Sequence, residues 1–226
     1  MNAAGAPAGR ARIACDPVIN CSGDYSEGTM DLFTAGMLGF SAIVLFGLYW
    51  FGAYHVLPIF AVAMILFFGN SFVANYFEKE GPGITVGGRT FEHGSYSGKE
   101  LRAWLADPNK KEAVSRYVFP VLIPIDILFI VLFAVAVALT SLALAPELKI
   151  PPDWYLALLL LPLCFAVADL SEDSLIIHAL TSPDAATDKY VAVMKAVTGL
   201  KFVTFSLAAG QAGLMVAASF VARCLR

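Results

Sequence analysis

Long apolar stretches alternate with short polar segments along this chain. A helix needs about 20 apolar residues to cross a bilayer. Stretches of about that length or longer cover residues 32–52, 56–77, 118–145, 154–180 and 190–221. Prolines punctuate the connections, as at Pro146 and Pro151 before the fourth stretch. The pattern predicts an all-α fold, a polytopic bundle of five transmembrane helices.

The connections divide the chain into segments of different character. Residues 1–30 begin with a low-complexity AAGAPAG run, lack the apolar core of a secretory signal and are expected to be flexible. Residues 31–77 are expected to form a transmembrane helical hairpin. Residues 78–117 form a basic cytoplasmic loop with an interfacial helix, and residues 118–226 form a three-helix segment that packs with the hairpin. Cys15 and Cys21 could close a small disulfide loop if this end faced an oxidising space.

The loop carries its own folding signals. Gly87-Gly88 separates two short β-forming runs, ITV and RTF, which predicts a β-hairpin. Ser97, followed three residues later by Glu100, matches a capping box and predicts the start of a helix. In that helix Leu101, Trp104 and Leu105 share one face, a pattern typical of a helix that lies on a membrane surface.

Composition and charge agree with a membrane location. The chain is 58% hydrophobic and 15% charged, whereas soluble domains carry about 25% charged residues. The net charge of −3 offers no basic field for nucleic acid, so no nucleic-acid partner is expected. Most basic residues fall within 1–30 and 78–117, which favours a cytoplasmic N-terminus in a plasma membrane or bacterial inner membrane. Aromatic side chains at the ends of the apolar stretches are expected to mark the membrane interface: Trp50, Trp104, Trp154 and Tyr155.

Polar residues inside the apolar stretches are the candidate site, because ionisable groups cost about 2.5–3.5 kcal/mol each at the centre of a membrane helix. The candidates for binding an ion or a polar ligand come from four different stretches: Asn70, Asp126, Asp169, Glu172, Asp173, Lys195 and Lys201. At about 1.5 Å per residue they fall in one layer of the inner leaflet. The matching depths predict that Lys201 faces Asp126 or Asp169. They also predict that Lys195 faces Glu172 or Asp173.

Two interpretations of this layer stay open. Clustered carboxylates beside a lysine could bind a cation, a proton or a polar headgroup. Alternatively, the same groups could form a buried network of ion pairs and hydrogen bonds that fixes helix register. The structural interpretation is preferred, because each carboxylate has a cationic or amide residue at a matching depth.

A second pattern lies in the fifth stretch, where small residues recur every four positions. These small residues let helices approach closely, and they are Ser206, Ala209, Gly210, Gly213 and Ala217. Packing within the bundle is the simpler explanation. A contact with a protein partner or with a second copy of the chain is the alternative, alongside the membrane lipids expected around the bundle.

No catalytic or metal-binding motif is visible. HExxH, GxSxG, Walker A and GxGxxG sequences are absent, so no catalytic residue, metal ligand or cofactor is assigned. The sequence therefore favours a non-enzymatic accessory or assembly subunit of a membrane complex. The alternative is a small ion- or proton-coupled transporter or channel that uses the carboxylate–lysine layer.

Overall fold

A computed structural model describes the backbone of residues 25–80, 85–86, 89–90 and 96–226, and the side chains of 35–70 and 96–226. The described chain is almost entirely helical. Its helices are α1 (Tyr25–Trp50), α2 (Leu57–Glu80), α3 (Gly98–Leu105), α4 (Lys111–Arg116), α5 (Ile127–Leu144), α6 (Tyr155–Thr181) and α7 (Asp188–Cys224). The described residues divide into two units, one that ends at Leu38 and one that spans Gly39–Arg226.

Three helical stretches are long and apolar enough to cross a membrane. They are Pro108–Leu144, Pro152–Thr181 and Asp188–Cys224, which correspond to the third, fourth and fifth apolar stretches of the sequence. In the first two stretches the fully described apolar helices are shorter, Ala35–Trp50 and Leu57–Asn70. The helical fold is confirmed, and by length and composition the described residues provide three membrane-crossing helices instead of the five predicted.

The loop before α3 contains a short antiparallel pairing. Strands β1 (Thr85–Val86) and β2 (Arg89–Thr90) pair Thr85 with Thr90 and Val86 with Arg89. A β-hairpin of the predicted extent is not among the described residues, because Ile84, Gly87-Gly88 and Phe91 lie outside them. Residues 1–24 of the predicted flexible segment, with the cysteine pair, lie outside them as well, whereas residues 25–30 belong to α1.

Helix α3 begins with the predicted capping box. The Ser97 hydroxyl accepts from the Glu100 N–H, and the Glu100 carboxylate accepts from the Ser97 N–H at 2.6 Å. The Ser97 N–H and hydroxyl both donate to the Glu100 carboxylate, and these two hydrogen bonds hold the pKa of Glu100 below its usual value. The cap therefore satisfies two of the N–H groups that a helix start leaves without partners.

The apolar face of α3 packs on protein, which corrects the expectation that it rests on lipid. Leu101 is fully buried, and Trp104 and Leu105 pack against a cluster that includes Ile176 of α6 and Met194 of α7. An amphipathic helix is expected both where a helix lies on lipid and where it packs on an apolar protein surface, so the sequence pattern does not distinguish the two. Here α3 covers the ends of α6 and α7 that the sequence places on the cytoplasmic side.

Close approach between α3 and the α6–α7 turn depends on Gly98. Its N–H donates to Asp188 Oδ1 at 2.7 Å. A Cβ at this position would collide with the backbone of Ala186 and Thr187. A residue without a side chain is therefore required where α3 crosses the turn.

The chain enters α5 through an irregular helical segment, Tyr117–Asp126. Phe119 and Ile123 have extended backbone angles inside it, and each precedes a proline, Pro120 or Pro124. Proline disfavours helical angles in the residue before it and cannot donate an N–H. The continuous helix expected over 118–145 is therefore interrupted as far as Asp126, and regular α-helix begins at Ile127.

The opposite end of the bundle is held by aromatic and charged contacts. Phe46 stacks on Phe220 of α7 with ring centroids 5.9 Å apart. Arg223 donates to Glu147 in the α5–α6 turn at 3.1 Å, and this hydrogen bond is the main reason that the pKa of Glu147 lies below its usual value. Trp50 and Trp154, expected at a membrane interface, are exposed at this end, whereas Trp104 lies at the other end, on α3.

Candidate functional site

The site is built on one turn of α6. Asp169, Glu172 and Asp173 occupy positions i, i+3 and i+4, so their side chains share one face of the helix. That face points into the bundle: the three residues are 0%, 2% and 3% exposed. Carboxylates are almost never this buried unless they are paired, so their partners define what the site is.

Helix α7 supplies a lysine and a threonine to this turn. Lys201 Nζ lies 2.7 Å from Asp169 Oδ1 and 2.7 Å from Glu172 Oε2. The approach to Asp169 is an ion pair without hydrogen-bond geometry. Thr198, one turn earlier on the same face, donates its hydroxyl to Glu172. The pairing of Lys201 with Asp169 is one that the matched depths predict.

Helix α2 and the residue just before α5 also contribute side chains to this site. Asn70 of α2 donates its Nδ2 amide to Asp126 Oδ1 at 3.1 Å, which joins α2 to the residue just before α5. Three carboxylate oxygens lie within 4.8 Å of one another, one from each of Asp126, Asp169 and Asp173. The site thus brings together every candidate from the sequence except Lys195.

Asp173 differs from its neighbours in having no protein partner within the described part of the chain. Both of its carboxylate oxygens are buried without a hydrogen bond, and so are Asp169 Oδ2 and Asn70 Oδ1. A buried polar atom left unsatisfied costs about 1–3 kcal/mol, and more when it is charged. The cluster therefore holds acceptor oxygens in excess of the donors that the described residues supply.

A layer of phenylalanines covers one side of the carboxylates. Phe133 of α5 contacts Phe165 of α6 and Phe205 of α7, with ring centroids 5.3 and 5.0 Å away. Phe129 and Phe67 of α2 extend this layer, with ring centroids 5.4 Å apart. These five rings form the aromatic layer.

The aromatic layer follows the same helices as the polar residues. Phe67, Phe129, Phe165 and Phe205 stand three or four positions from Asn70, Asp126, Asp169 and Lys201 respectively. The same spacing occurs in α2, α5, α6 and α7, with each phenylalanine on the side away from α3. The spacing is present in the sequence, but it predicts an aromatic layer only once the positions of the four helices are known.

Apolar residues cover the other side. Leu122, Ile176 and Met194 belong to the core that α3 completes with Leu101. Each stands four residues from Asp126, Glu172 or Thr198 respectively, on the side toward α3. The carboxylates are therefore enclosed between the aromatic layer and an apolar layer capped by α3.

The remaining candidates lie elsewhere. Lys195, which the sequence places opposite Glu172 or Asp173, lies instead with its Nζ 4.2 Å from the Tyr96 ring centroid. This position beside α3 is compatible with a cation–π contact. Depth along α7 does not predict this contact, because Tyr96 belongs to the segment that leads into α3.

The small residues of α7 divide between packed and exposed positions. Ser206, Gly210 and Ala217 are exposed, and Ala209 is half-buried. Gly213 faces Phe40 of α1, whose ring a Cβ there would meet at 3.6 Å. The residues that α7 buries in the bundle are larger or lie on the adjacent face, and they include Phe205, Ala208, Ala212 and Val216.

Chemically, the cluster offers buried carboxylate and amide oxygens as ligands. Carboxylate and amide oxygens suit hard cations and protons. Comparison with protein-family models, with curated proteins and with solved structures finds no match for this chain. By its fold the chain is a helical-bundle protein with three helices that could cross a membrane, and its functional assignment depends on this cluster.

Proposed function

We propose that the chain is an integral membrane protein with five transmembrane helices, and that its enclosed carboxylate–lysine cluster binds and releases a small cation or a proton. It would act as a small ion- or proton-coupled transporter or channel. The membrane location is supported by the three long apolar helices, the apolar character of α1 and α2, and the large apolar side chains exposed around the bundle.

The observation that carries the proposal is that the Asp173 carboxylate is buried without a hydrogen-bond donor among the described residues. A network that served only to fix helix register would be expected to satisfy each buried carboxylate, since an unpaired buried charge is strongly destabilising. Asp173 is 3% exposed and has no hydrogen-bond donor among the described residues. A bound cation or proton would supply the partner that the described residues do not.

The layers on either side support transport more than permanent binding. A cation carried through the bundle must be shielded from one side while it reaches the other. The aromatic layer and the layer beneath α3 would provide that shielding, and outward or inward release would require one of them to separate. Lys201 would then hold Asp169 and Glu172 in place when the cation leaves.

Flux into liposomes tests this proposal. The full chain is reconstituted, and gradients of H⁺, Na⁺ or Mn²⁺ are imposed while internal pyranine, a sodium dye or calcein reports entry. The wild-type protein is expected to speed at least one of these fluxes over empty liposomes. Asp169→Asn is expected to abolish it, because that change removes a buried carboxylate and one of the two partners of Lys201.

Asp184→Asn is the matched control, because Asp184 is exposed in the α6–α7 turn and the substitution removes the same charge. It is expected to leave the flux unchanged. Transport is ruled out for these ions if folded wild-type protein passes none of them faster than empty liposomes. Equal flux through the wild-type protein and Asp169→Asn would show that transport does not depend on the cluster.

An accessory or assembly subunit is the second candidate function. It is favoured by the exposed small residues of α7, where a Cβ added at Gly210 would meet no atom within 4 Å. Such a surface could receive another helix, either from a protein partner or from a second copy. Gly210→Leu is then expected to reduce the mass of the complex extracted from native membranes, measured by native mass spectrometry.

Ala218→Leu is the control for this experiment, since it enlarges an exposed residue about 80° around the same helix. A complex that tolerates both changes equally argues against assembly through this surface. A wild-type chain that is extracted alone argues against the subunit function.

The proposed topology places the N-terminus in the cytoplasm and the C-terminus outside, in a plasma membrane or bacterial inner membrane. Cys224, a free cysteine in the last turn of α7, provides the test. Intact cells are labelled with a membrane-impermeant maleimide, with Cys224→Ser as the control. Labelling of the wild type alone supports the topology. Labelling of Cys224 only after the membrane is opened contradicts it.

A further inference from the structure

We infer that Asp126, Asp169 and Asp173 bind one divalent metal cation of the size of Ca²⁺ or Mn²⁺. This inference rests on the proposed function and names the ion that its site takes. The three carboxylates come from two separate parts of the chain, the entry to α5 and the middle of α6, and converge on one point inside the bundle.

The distances fit an ion of this size. Oxygen atoms on opposite sides of a bound Ca²⁺ are about 5 Å apart, and those on opposite sides of Mg²⁺ about 4 Å apart. One carboxylate oxygen from each of the three aspartates lies within 4.8 Å of the other two, a separation closer to the spacing around Ca²⁺ than to that around Mg²⁺.

The charges favour a divalent ion over a proton. Asp126, Asp169, Glu172 and Asp173 are all buried, and Lys201 forms ion pairs with Asp169 and Glu172. One proton neutralises one carboxylate, whereas one divalent cation contacts three of them at once and offsets more of their mutual repulsion.

The unsatisfied oxygens lie where a cation would use them. Both Asp173 oxygens and Asp169 Oδ2 are buried without a hydrogen bond to any described residue. Asn70 donates its amide N–H to Asp126, and its own buried Oδ1 receives no hydrogen bond from the described residues. The amide thus orients Asp126 in the way that outer partners orient metal-binding carboxylates.

Binding of Mn²⁺ to the purified full-length protein in detergent tests the inference. Free Mn²⁺ gives a six-line electron paramagnetic resonance spectrum that disappears on binding, so titration gives both stoichiometry and affinity. We expect one tight Mn²⁺ per chain, displaced more readily by Ca²⁺ than by Mg²⁺. Asp173→Asn is expected to weaken binding by about 100-fold or more, because it removes a direct ligand.

Two further variants keep the result interpretable. Asp184→Asn removes an exposed charge and is expected to bind Mn²⁺ as the wild type does. Lys201→Met removes positive charge beside the site and is expected to tighten Mn²⁺ binding, a direction that loss of folding cannot produce. If Asp173→Asn is not recovered folded, Asp126→Asn replaces it, with the same expected loss.

The outcomes separate this inference from the proposed function. Wild-type protein that binds no stoichiometric Mn²⁺ overturns the divalent site, and so does binding that survives Asp173→Asn or Asp126→Asn unchanged. If H⁺ or Na⁺ flux still depends on Asp169 in that case, the proposed function stands without the metal. Tight Mn²⁺ binding without any flux supports the metal site and overturns transport.

Discussion

Lys201 Nζ lies 2.7 Å from Asp169 Oδ1, an ion pair that joins α7 to α6 at a point where Asp169 is fully buried. Lys201→Met would leave Asp169 and Glu172 without their ammonium. Removing one partner of a buried pair costs about 3–5 kcal/mol, and the lower end is expected here because the Lys201 side chain is 21% exposed. Thermal unfolding in detergent, without added divalent cations, measures the loss.

The double variant Lys201→Met/Asp169→Asn is the companion measurement. It removes the ammonium and one of the two charges that the ammonium compensates, so part of the lost stability should return. A single variant as stable as the wild type would show that the pair contributes nothing to folding. A double variant less stable than either single one would show that the two residues act independently.

Gly98→Ala tests the packing of α3 on the α6–α7 turn. The added methyl group would meet backbone atoms of Ala186 and Thr187, which cannot rotate away as a side chain can. Overpacking of this kind costs about 1–3 kcal/mol. We expect faster proteolysis within the α3 segment and a lower unfolding temperature.

Gly199→Ala is the control for this change, because a Cβ at Gly199 of α7 meets no atom within 4 Å. Alanine is a better helix former than glycine by about 1 kcal/mol, so this variant should be as stable as the wild type or slightly more stable. Equal effects of the two substitutions would remove the steric explanation for Gly98.

Much of the fold was predictable because apolar length and local capping signals are properties of short segments. The Ser97–Glu100 cap and the shared face of Asp169, Glu172 and Asp173 depend only on spacing along a helix, and both are present. The pairing of Lys201 with Asp169 followed from depth alone. Such features need no knowledge of which helices are neighbours.

The features that the sequence left undecided depend on tertiary contacts. The apolar face of α3 suits lipid and protein equally, and only the position of Ile176 and Met194 shows that it covers the bundle. Lys195 meets Tyr96, a residue that reaches it from a distant loop. Which described residues could donate to Asp173, and that none does, likewise becomes known only from the tertiary structure.

The contribution of Glu147 to the free energy of unfolding is expected to depend on pH. Its pKa is held below the usual value of 4.5, first by the hydrogen bond from Arg223 and then by the charges of Arg223 and Arg226. A carboxylate with a lowered folded-state pKa adds stability that is complete above its unfolded-state pKa. That stability disappears as the pH falls through the folded value.

We therefore expect Glu147→Gln to lower stability at pH 7 and to make no difference under strongly acidic conditions. The effect is at most about 1 kcal/mol, because partly exposed ion pairs contribute little. Unfolding temperatures of the two proteins between pH 7 and pH 3 provide the measurement. Asp153→Asn, in the same connection and exposed, is the control. A difference between wild type and Glu147→Gln that stays constant with pH would contradict the assignment to this carboxylate.

Phe133 is the central ring of the aromatic layer, fully buried and in contact with Phe165 and Phe205. Phe133→Ala is expected to cost about 3–5 kcal/mol of stability because it opens a cavity. If the layer closes the site to the side away from α3, the same change should also let protons leak through reconstituted protein, measured with internal pyranine. Leu128→Ala, an exposed truncation on the same helix, should change neither stability nor leak appreciably. If folded Phe133→Ala protein leaks protons no faster than the wild type, the aromatic layer packs the bundle without blocking proton passage.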